Sequence, residues 1–481
     1  MQPAPIVQPS ATLAPVSARE RIIHLDVLRG LALFGVLIAN IWLWFSGTIF
    51  RFPGILPELR VLSLDSASFF FVAFFVSGKA LTTFSFLFGL GFAIQMMRAE
   101  AKGSTVVPVF ARRMGLLLLI GALHAVFLWY GDILATYALL GFALLLFRNR
   151  TNKAILIWAF VLIVVVPLVL SSIPLAMHLA GSESASDTAE EMEEAPSTTP
   201  TAENAAPTAD GTAPSTTPTA ENAAPTAEGT ASSADGTAPT ADSTAAPGSD
   251  EALLEAFMSR NPARIIRGNL EMLGDMYGLP RGLGKLRYLG LFLLGLYVGR
   301  RRIFEEPSAH RAAMVKMAIW GFSIGIPATL GVMVMRMSFS PAHFETLPGL
   351  PILMTVADQI STLPFAFAYI AGATLLLEIP PWRRLLSAFA PVGRTALTNY
   401  IAQTVICLVL YIGLGLMADG GWAVGLLLAC VIFAGQMALS AWWLRRYRFG
   451  PLEWLWRCGT YGRLQPMRVA PRAEASAELA A

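Results

Sequence analysis

Apolar stretches of the length needed to cross the roughly 30 Å hydrocarbon core of a bilayer recur along this chain. They lie at 25–46, 68–97, 114–129, 133–147, 154–178, 286–299, 314–335, 350–377, 396–417 and 423–444. Lipid offers no partner for an exposed peptide group, so such windows must close their hydrogen bonds internally as helices. The predicted fold is all-α: a polytopic transmembrane bundle of about ten helices. The 68–97 window is too long for one simple span, and Gly78-Lys79 inside it predicts a break or a re-entrant start. The 286–299 window is short and must borrow flanking residues.

Charge gives the bundle a direction. Threading the windows alternately, with the N-terminus cytoplasmic, collects Arg98/Lys102/Arg112/Arg113, Arg148/Arg150/Lys153, Arg300/Arg301/Arg302, Arg383/Arg384/Arg394 and Arg445/Arg446/Arg448 on one side. Basic loops mark the cytoplasmic face, so both termini are expected there. Arg19 and Arg21 precede an apolar run too long for a signal-peptide core, which predicts a retained first helix. The chain has 35 Lys plus Arg against 32 Asp plus Glu, but residues 181–250 hold 13 of the acids and no base. The basic excess elsewhere sits beside apolar runs, which argues for a membrane surface and against nucleic acid.

The same threading puts 181–250 outside the cytoplasm. Its Ala/Thr/Pro composition has little to bury, so it reads as a disordered acidic linker. Within it residues 197–213 recur as 215–231 with one change, Asp210 to Glu228, as expected of a duplicated spacer. The expected organisation is a tail at 1–20, a membrane region at 21–180, the linker, a second membrane region at 251–465 and a cytoplasmic tail at 466–481.

Ionisable residues inside membrane windows are costly and point to function. His124 lies inside one, followed by Gly131-Asp132-Ile133-Leu134. On a continuous helix Asp132 would stand about 12 Å further along the axis. A break at Gly131 would fold it back, where a carboxylate-oriented histidine serves as a general base. At the mouth of the first helix Asp26 and Arg29, one turn apart, form either a local ion pair or a contact for an anionic group. Arg394, Thr398, Asn399 and Gln403 open the ninth window. Asn399 and Gln403 share a helix face, suited to interhelical hydrogen bonds or to substrate, and Gln436 and Ser440 offer the same spacing opposite. Asp358 is a second carboxylate within a window, and Ser85-Phe86-Leu87-Phe88-Gly89 reads as small-residue packing.

Cys407, Cys430 and Cys458 show neither a disulfide framework nor a zinc spacing. The absence of Walker, HExxH and GxSxG patterns argues against an ATP-driven pump or a metalloprotease. No metal and no tightly bound cofactor are expected.

These landmarks in this order resemble the bacterial YeiB-like membrane proteins carrying the domain of unknown function 418 in their C-terminal half. The pieces are Leu25-Asp26…Arg29-Gly30, Phe84-Ser85-Phe86-Leu87-Phe88-Gly89, His124 with Gly131-Asp132-Ile133-Leu134, Gly393-Arg394…Thr398-Asn399-Tyr400, and Phe449-Gly450-Pro451-Leu452-Glu453-Trp454…Arg457…Thr460-Tyr461. The first helix is also similar to that of membrane acyltransferases of the acyltransferase-3 and heparan glucosaminide acetyltransferase groups. That resemblance implies acyl-CoA as donor and an extracytoplasmic glycan or lipid as acceptor. In the acyltransferase-3 pattern a histidine follows the basic residue by eleven positions; counted from Arg29, this chain has Asn40 there. Asn is no base, so His124 is expected to replace it. The alternative is a proton-linked transporter in which His124, Asp132 and Asp358 line the path.

Overall fold

The computed structural model describes residues 22–41, 63–193, 255–415 apart from Met258, Pro280 and Ser340, and 421–469. The end of the first apolar window, most of the acidic linker with its repeat, and the N-terminal tail through residue 20 lie outside the described residues. Two compact units result, one of Met1–Met177 with Ala245–Ala481 and one of His178–Thr244.

The helices used below are α1 (Ile23–Asn40), α2 (Leu64–Phe75), α3 (Lys79–Ala101), α4 (Val107–Phe127), α5 (Leu134–Leu144), α6 (Asn152–Phe160) and α7 (Val166–Glu193). They continue as α8 (Pro262–Tyr277), α9 (Leu286–Arg300), α10 (Arg311–Ser338), α11 (Leu350–Leu376), α12 (Ala390–Arg394), α13 (Ala396–Cys407), α14 (Trp422–Leu444) and α15 (Pro451–Tyr461). Among the described residues the structure is all-α, with a single bridge between Tyr447 and Arg468 as its extended pairing.

Among the described residues, eight helical segments are long and apolar enough to cross a membrane. The expected count of about ten is not exact. The 133–147 window forms only a short apolar helix, and α9, at 15 residues, falls short of the roughly 20 a span requires. The long second window is interrupted, as its Gly-Lys pair predicts: Gly78 takes a φ of 76°, open to glycine at little cost, and separates α2 from α3. Helix α7 runs on to Glu193, past the expected start of the linker. At the other end, residues 466–469 are not a free tail. Arg448 N–H donates to Met467 O at 2.8 Å and Val469 N–H to Arg446 O at 3.1 Å.

Helix α9, though short, packs at the centre because α3 and α9 meet through glycines. A methyl on Gly89 would fall 1.9 Å from Phe292 O, and one on Gly295 would fall 2.1 Å from Phe86 O. Without a hydrophobic drive between helices in lipid, such small-residue contacts let backbones approach and gain dispersion energy. Phe88 stacks on Phe292 beside the crossing, with centroids 4.5 Å apart.

Candidate functional site

Helix α4 ends at Phe127 and α5 starts at Leu134, so the intervening turn reverses the chain and returns Asp132 to His124. Asp132 Oδ1 lies 2.9 Å from His124 Nδ1, both side chains about 1% exposed. The contact is short, yet the ring N–H does not aim along it at a hydrogen-bond angle. Asp132 Oδ2 accepts the Ala135 N–H at 2.6 Å, fixing the carboxylate to the first turn of α5. Gly121 makes the approach possible: a methyl there would lie 2.3 Å from Ala135 N and 2.9 Å from Asp132 Oδ2. The other imidazole nitrogen, Nε2, is 2.9 Å from Thr404 Oγ1 on α13. In the tautomer with its proton on Nδ1, the Thr404 hydroxyl donates to Nε2, giving the order hydroxyl, base, orienting acid.

Fully buried Asn269 of α8 holds the turn closed. Its Oδ1 accepts the Tyr130 N–H at 3.3 Å and its Nδ2 donates to Val126 O at 3.1 Å. The Tyr400 ring lies 5.3 Å from the His124 ring, and its hydroxyl accepts the Ile133 N–H at 3.5 Å. Neither Asn269 nor Thr404 carries a local signal beyond being polar in an apolar or amphipathic stretch.

A cavity of about 300 Å³ ends against this group. Along α3 its lining runs from Arg98 to Leu81, about 25 Å at 1.5 Å per residue. The end near Arg98 is charged, lined by Asp26, Arg29, Arg113, Arg394, Glu453 and Arg457. The body is apolar, with Leu33, Val36, Phe84, Leu87, Phe88 and Leu117. The inner end is formed by Ile133, Leu134, Tyr137 and Tyr400, so the His124 imidazole stands one side chain behind the wall. Tyr137 is itself occupied, with Ser85 Oγ 2.5 Å from its hydroxyl.

Five guanidiniums thus face two carboxylates, and both carboxylates are engaged. Asp26 Oδ1 accepts from Arg29 Nη1 at 3.0 Å. Glu453 accepts the Thr398 N–H at 3.0 Å and its hydroxyl at 2.5 Å. Arg113 lies over the Trp456 ring at 4.2 Å, and Arg457 over Phe449 at 4.6 Å. Arg394 Nε is buried and meets no acceptor. Burial pushes the Arg394 and Arg457 guanidiniums below their ordinary value, but an arginine in a protein keeps its proton. The basic end is therefore built for an anion.

Of the residues singled out from the sequence, Asp26, Arg29 and Arg394 line this cavity, and His124 with Asp132 closes behind its inner end. Asn40, the last residue of α1, lies beyond Val36, the last α1 residue in the lining. Asn399 and Gln403 join α13 to α14: Asn399 Nδ2 donates to Ser440 Oγ at 3.0 Å, Gln403 Nε2 to Gln436 Oε1 at 2.8 Å, and Gln436 Nε2 to Asn399 O at 3.0 Å. Thr398 serves as the anchor for Glu453. Asp358 pairs with Arg336 at 3.3 Å and is not part of the lining. Arg113 enters the sequence reading only as loop charge, and Glu453 and Arg457 only as pieces of the family resemblance, so none of the three is assigned there to the site.

Residues 298–463 match the family described as protein of unknown function (DUF418). The chain is 31% identical over 468 residues to the uncharacterized protein YxaH of Bacillus subtilis, covering 95% of this chain and 98% of that one. The chain belongs to the YeiB-like DUF418 family. It is also 26% identical over 451 residues to the uncharacterized protein YeiB of Escherichia coli, across 91% of this chain and 96% of the other. No solved structure matches it. The DUF418 match takes in Arg394, Tyr400, Thr404, Glu453 and Arg457, while Arg29, His124 and Asp132 come from the half before it. The site is assembled from both halves of this DUF418 protein.

Glu453 gives one prediction directly. Burial raises its carboxyl, and the hydrogen bonds from Thr398 offset part of that shift. A folded chain that holds a proton more tightly than the unfolded one loses stability as pH rises. Docking of α15 is therefore tightest below the ordinary value of 4.5 and weakens as pH climbs through the raised folded value. Thermal unfolding of the solubilised protein should fall over that window in wild type and flatten in Glu453→Gln. Parallel curves would show that Glu453 titrates alike in both states.

Proposed function

We propose that this DUF418 protein is a membrane-embedded acyl-group transferase. Acyl-CoA is the donor, and an extracytoplasmic glycan or lipid hydroxyl is the acceptor. The observation that carries the reading is the cavity itself, with an arginine-rich end, an apolar body and a buried acid–histidine–hydroxyl series behind its inner wall. Arg29, Arg113, Arg394 and Arg457 would take the coenzyme phosphates, to which a guanidinium fork is suited. The slot would carry the pantetheine arm inward to place the thioester at Tyr400.

There the acceptor hydroxyl attacks the acyl carbon and the C–S bond breaks. His124, oriented by Asp132, takes the hydroxyl proton and returns it to the leaving thiolate, giving free CoA and an ester. Displacement of Tyr400 or Thr404 is required for the imidazole to reach the acceptor. Transport through the same bundle is the weaker reading, because Asp358 lies outside the lining and the cavity leads to a closed inner wall.

Membranes containing the chain, given labelled acyl-CoA of several lengths, are expected to yield labelled glycan or lipid. Arg113→Gln with Arg457→Gln should raise KM for acyl-CoA at least tenfold, since a charged hydrogen bond contributes about 1.5–3 kcal/mol. Wild-type membranes that label nothing with any acyl-CoA would refute the transferase reading. Proton-driven solute uptake without a covalent product would favour transport.

A further inference from the structure

A second concave surface lies on α6 and the end of α9, away from the cavity lining. It is an open groove of about 470 Å³, lined by Lys153, Leu156, Ile157 and Phe160 of α6 with Tyr297 and Arg301 at the end of α9, and touched by Asn152. No carboxylate lines it.

Its charge placement is unusual. Thr151 caps α6, its hydroxyl accepting the Ala154 N–H at 3.3 Å, so Lys153 stands in the first turn of a helix. A cation there opposes the helix dipole, whose positive end favours an anion. Arg301 brings a second cation to the same spot from the C-terminal end of α9.

Neighbouring Arg300 shows by contrast what a structural arginine does here. It donates to Arg150 O at 2.7 Å, Arg148 O at 2.6 Å and Asn152 Oδ1 at 3.3 Å, tying the end of the preceding loop to α9. That work is done by Arg300, whereas Arg301 turns to the groove. From the two cations the groove runs along α6 past Leu156, Ile157 and Phe160, the last 59% exposed. These residues belong to a membrane-crossing segment, so the basic end sits where that segment begins. A charged pair at the start of a span with an exposed apolar track beside it matches one phospholipid molecule, head and chain.

We infer that this groove is a binding site for an anionic phospholipid in the leaflet that bears the arginine clusters. The phosphate and its glycerol headgroup lie between Lys153 and Arg301 at the α6 N-terminus, and an acyl chain lies along Ile157 and Phe160. The inference does not depend on the transferase reading, since no residue of the groove lines the cavity.

The test uses the full chain in nanodiscs of phosphatidylcholine doped with phosphatidylglycerol, read by native mass spectrometry after release. Wild type is expected to retain phosphatidylglycerol in preference to phosphatidylcholine. Lys153→Gln with Arg301→Gln should weaken retention about thirtyfold, the equivalent of about 1 kcal/mol for each basic side chain near the surface. The charge-preserving pair Lys153→Arg with Arg301→Lys should retain the lipid within a few-fold, which separates charge from folding. Added inorganic phosphate should leave the lipid in place. Equal retention of both lipids by wild type, undiminished retention by the glutamine pair, or displacement by phosphate alone would each overturn the assignment.

Discussion

Replacing His124 by alanine is expected to lower acyl transfer by about 10²–10⁴-fold, the range a positioned general base contributes. Thr404 holds Nε2 at 2.9 Å and Asp132 lies 2.9 Å from Nδ1, so the substitution removes the imidazole that links hydroxyl and carboxylate. Asp132→Ala should depress the rate too, with an added structural cost. It leaves the Ala135 N–H without the carboxylate, in a buried site. That orphaned donor costs about 1–3 kcal/mol. Asp132→Asn keeps an acceptor for Ala135 and should recover most of the stability with little of the rate. Rates in membranes, set beside thermal unfolding in detergent, separate the two effects. Full transfer by a stably folded His124→Ala protein would remove His124 from the chemistry.

The second large effect belongs to Gly393. A methyl at that position would stand 1.8 Å from Asp26 O and 2.9 Å from Gly30 N, while one on Gly30 would stand 2.3 Å from Phe389 O. The obstacles are backbone atoms on both sides, so no rotamer change relieves the clash and the α1–α12 contact must open. Gly393→Ala is expected to cost at least the upper part of the about 1–3 kcal/mol typical of overpacking. It should also weaken donor binding, because α1 carries Asp26 and Arg29 and α12 carries Arg394. Gly115 supplies the control. It lies inside α4 with nothing within 4 Å of an added methyl, so Gly115→Ala should stabilise by up to about 1 kcal/mol. Equal unfolding temperatures for the two variants would show that the α1–α12 contact yields more easily than its geometry implies.

Parts of the site were legible in the sequence because membrane windows make polar residues conspicuous. His124 and Asp132 stand out against apolar neighbours; the helix ends at Phe127, before the break expected at Gly131, and the turn that follows closes eight residues of separation to contact. Asp26 and Arg29 announce themselves by helix spacing. Arg113 carries no such mark, since it belongs to a basic cluster where positive charge already has an explanation, and Arg457 is marked only as a piece of the family resemblance. That they face one cavity follows from α15 folding back on α4, through Trp456 Nε1 donating to Arg113 O at 2.9 Å. Asn399 and Gln403 were conspicuous for the opposite reason, since their polarity serves the contact with α14.

The sequence by itself determined an all-α membrane chain, its break at Gly78 and the membership of its polar groups. Hydrocarbon imposes those features through local rules of length, hydropathy and backbone satisfaction. Tertiary structure decided that α5 and α9 are short helices, that Asn40 stands beyond the cavity, and that arginines from five helices face one slot ending at the His124 pair. Such facts depend on which backbones can approach. Steric contact between glycines and carbonyls distant in sequence sets that, as at Gly89 with Phe292 and Gly393 with Asp26.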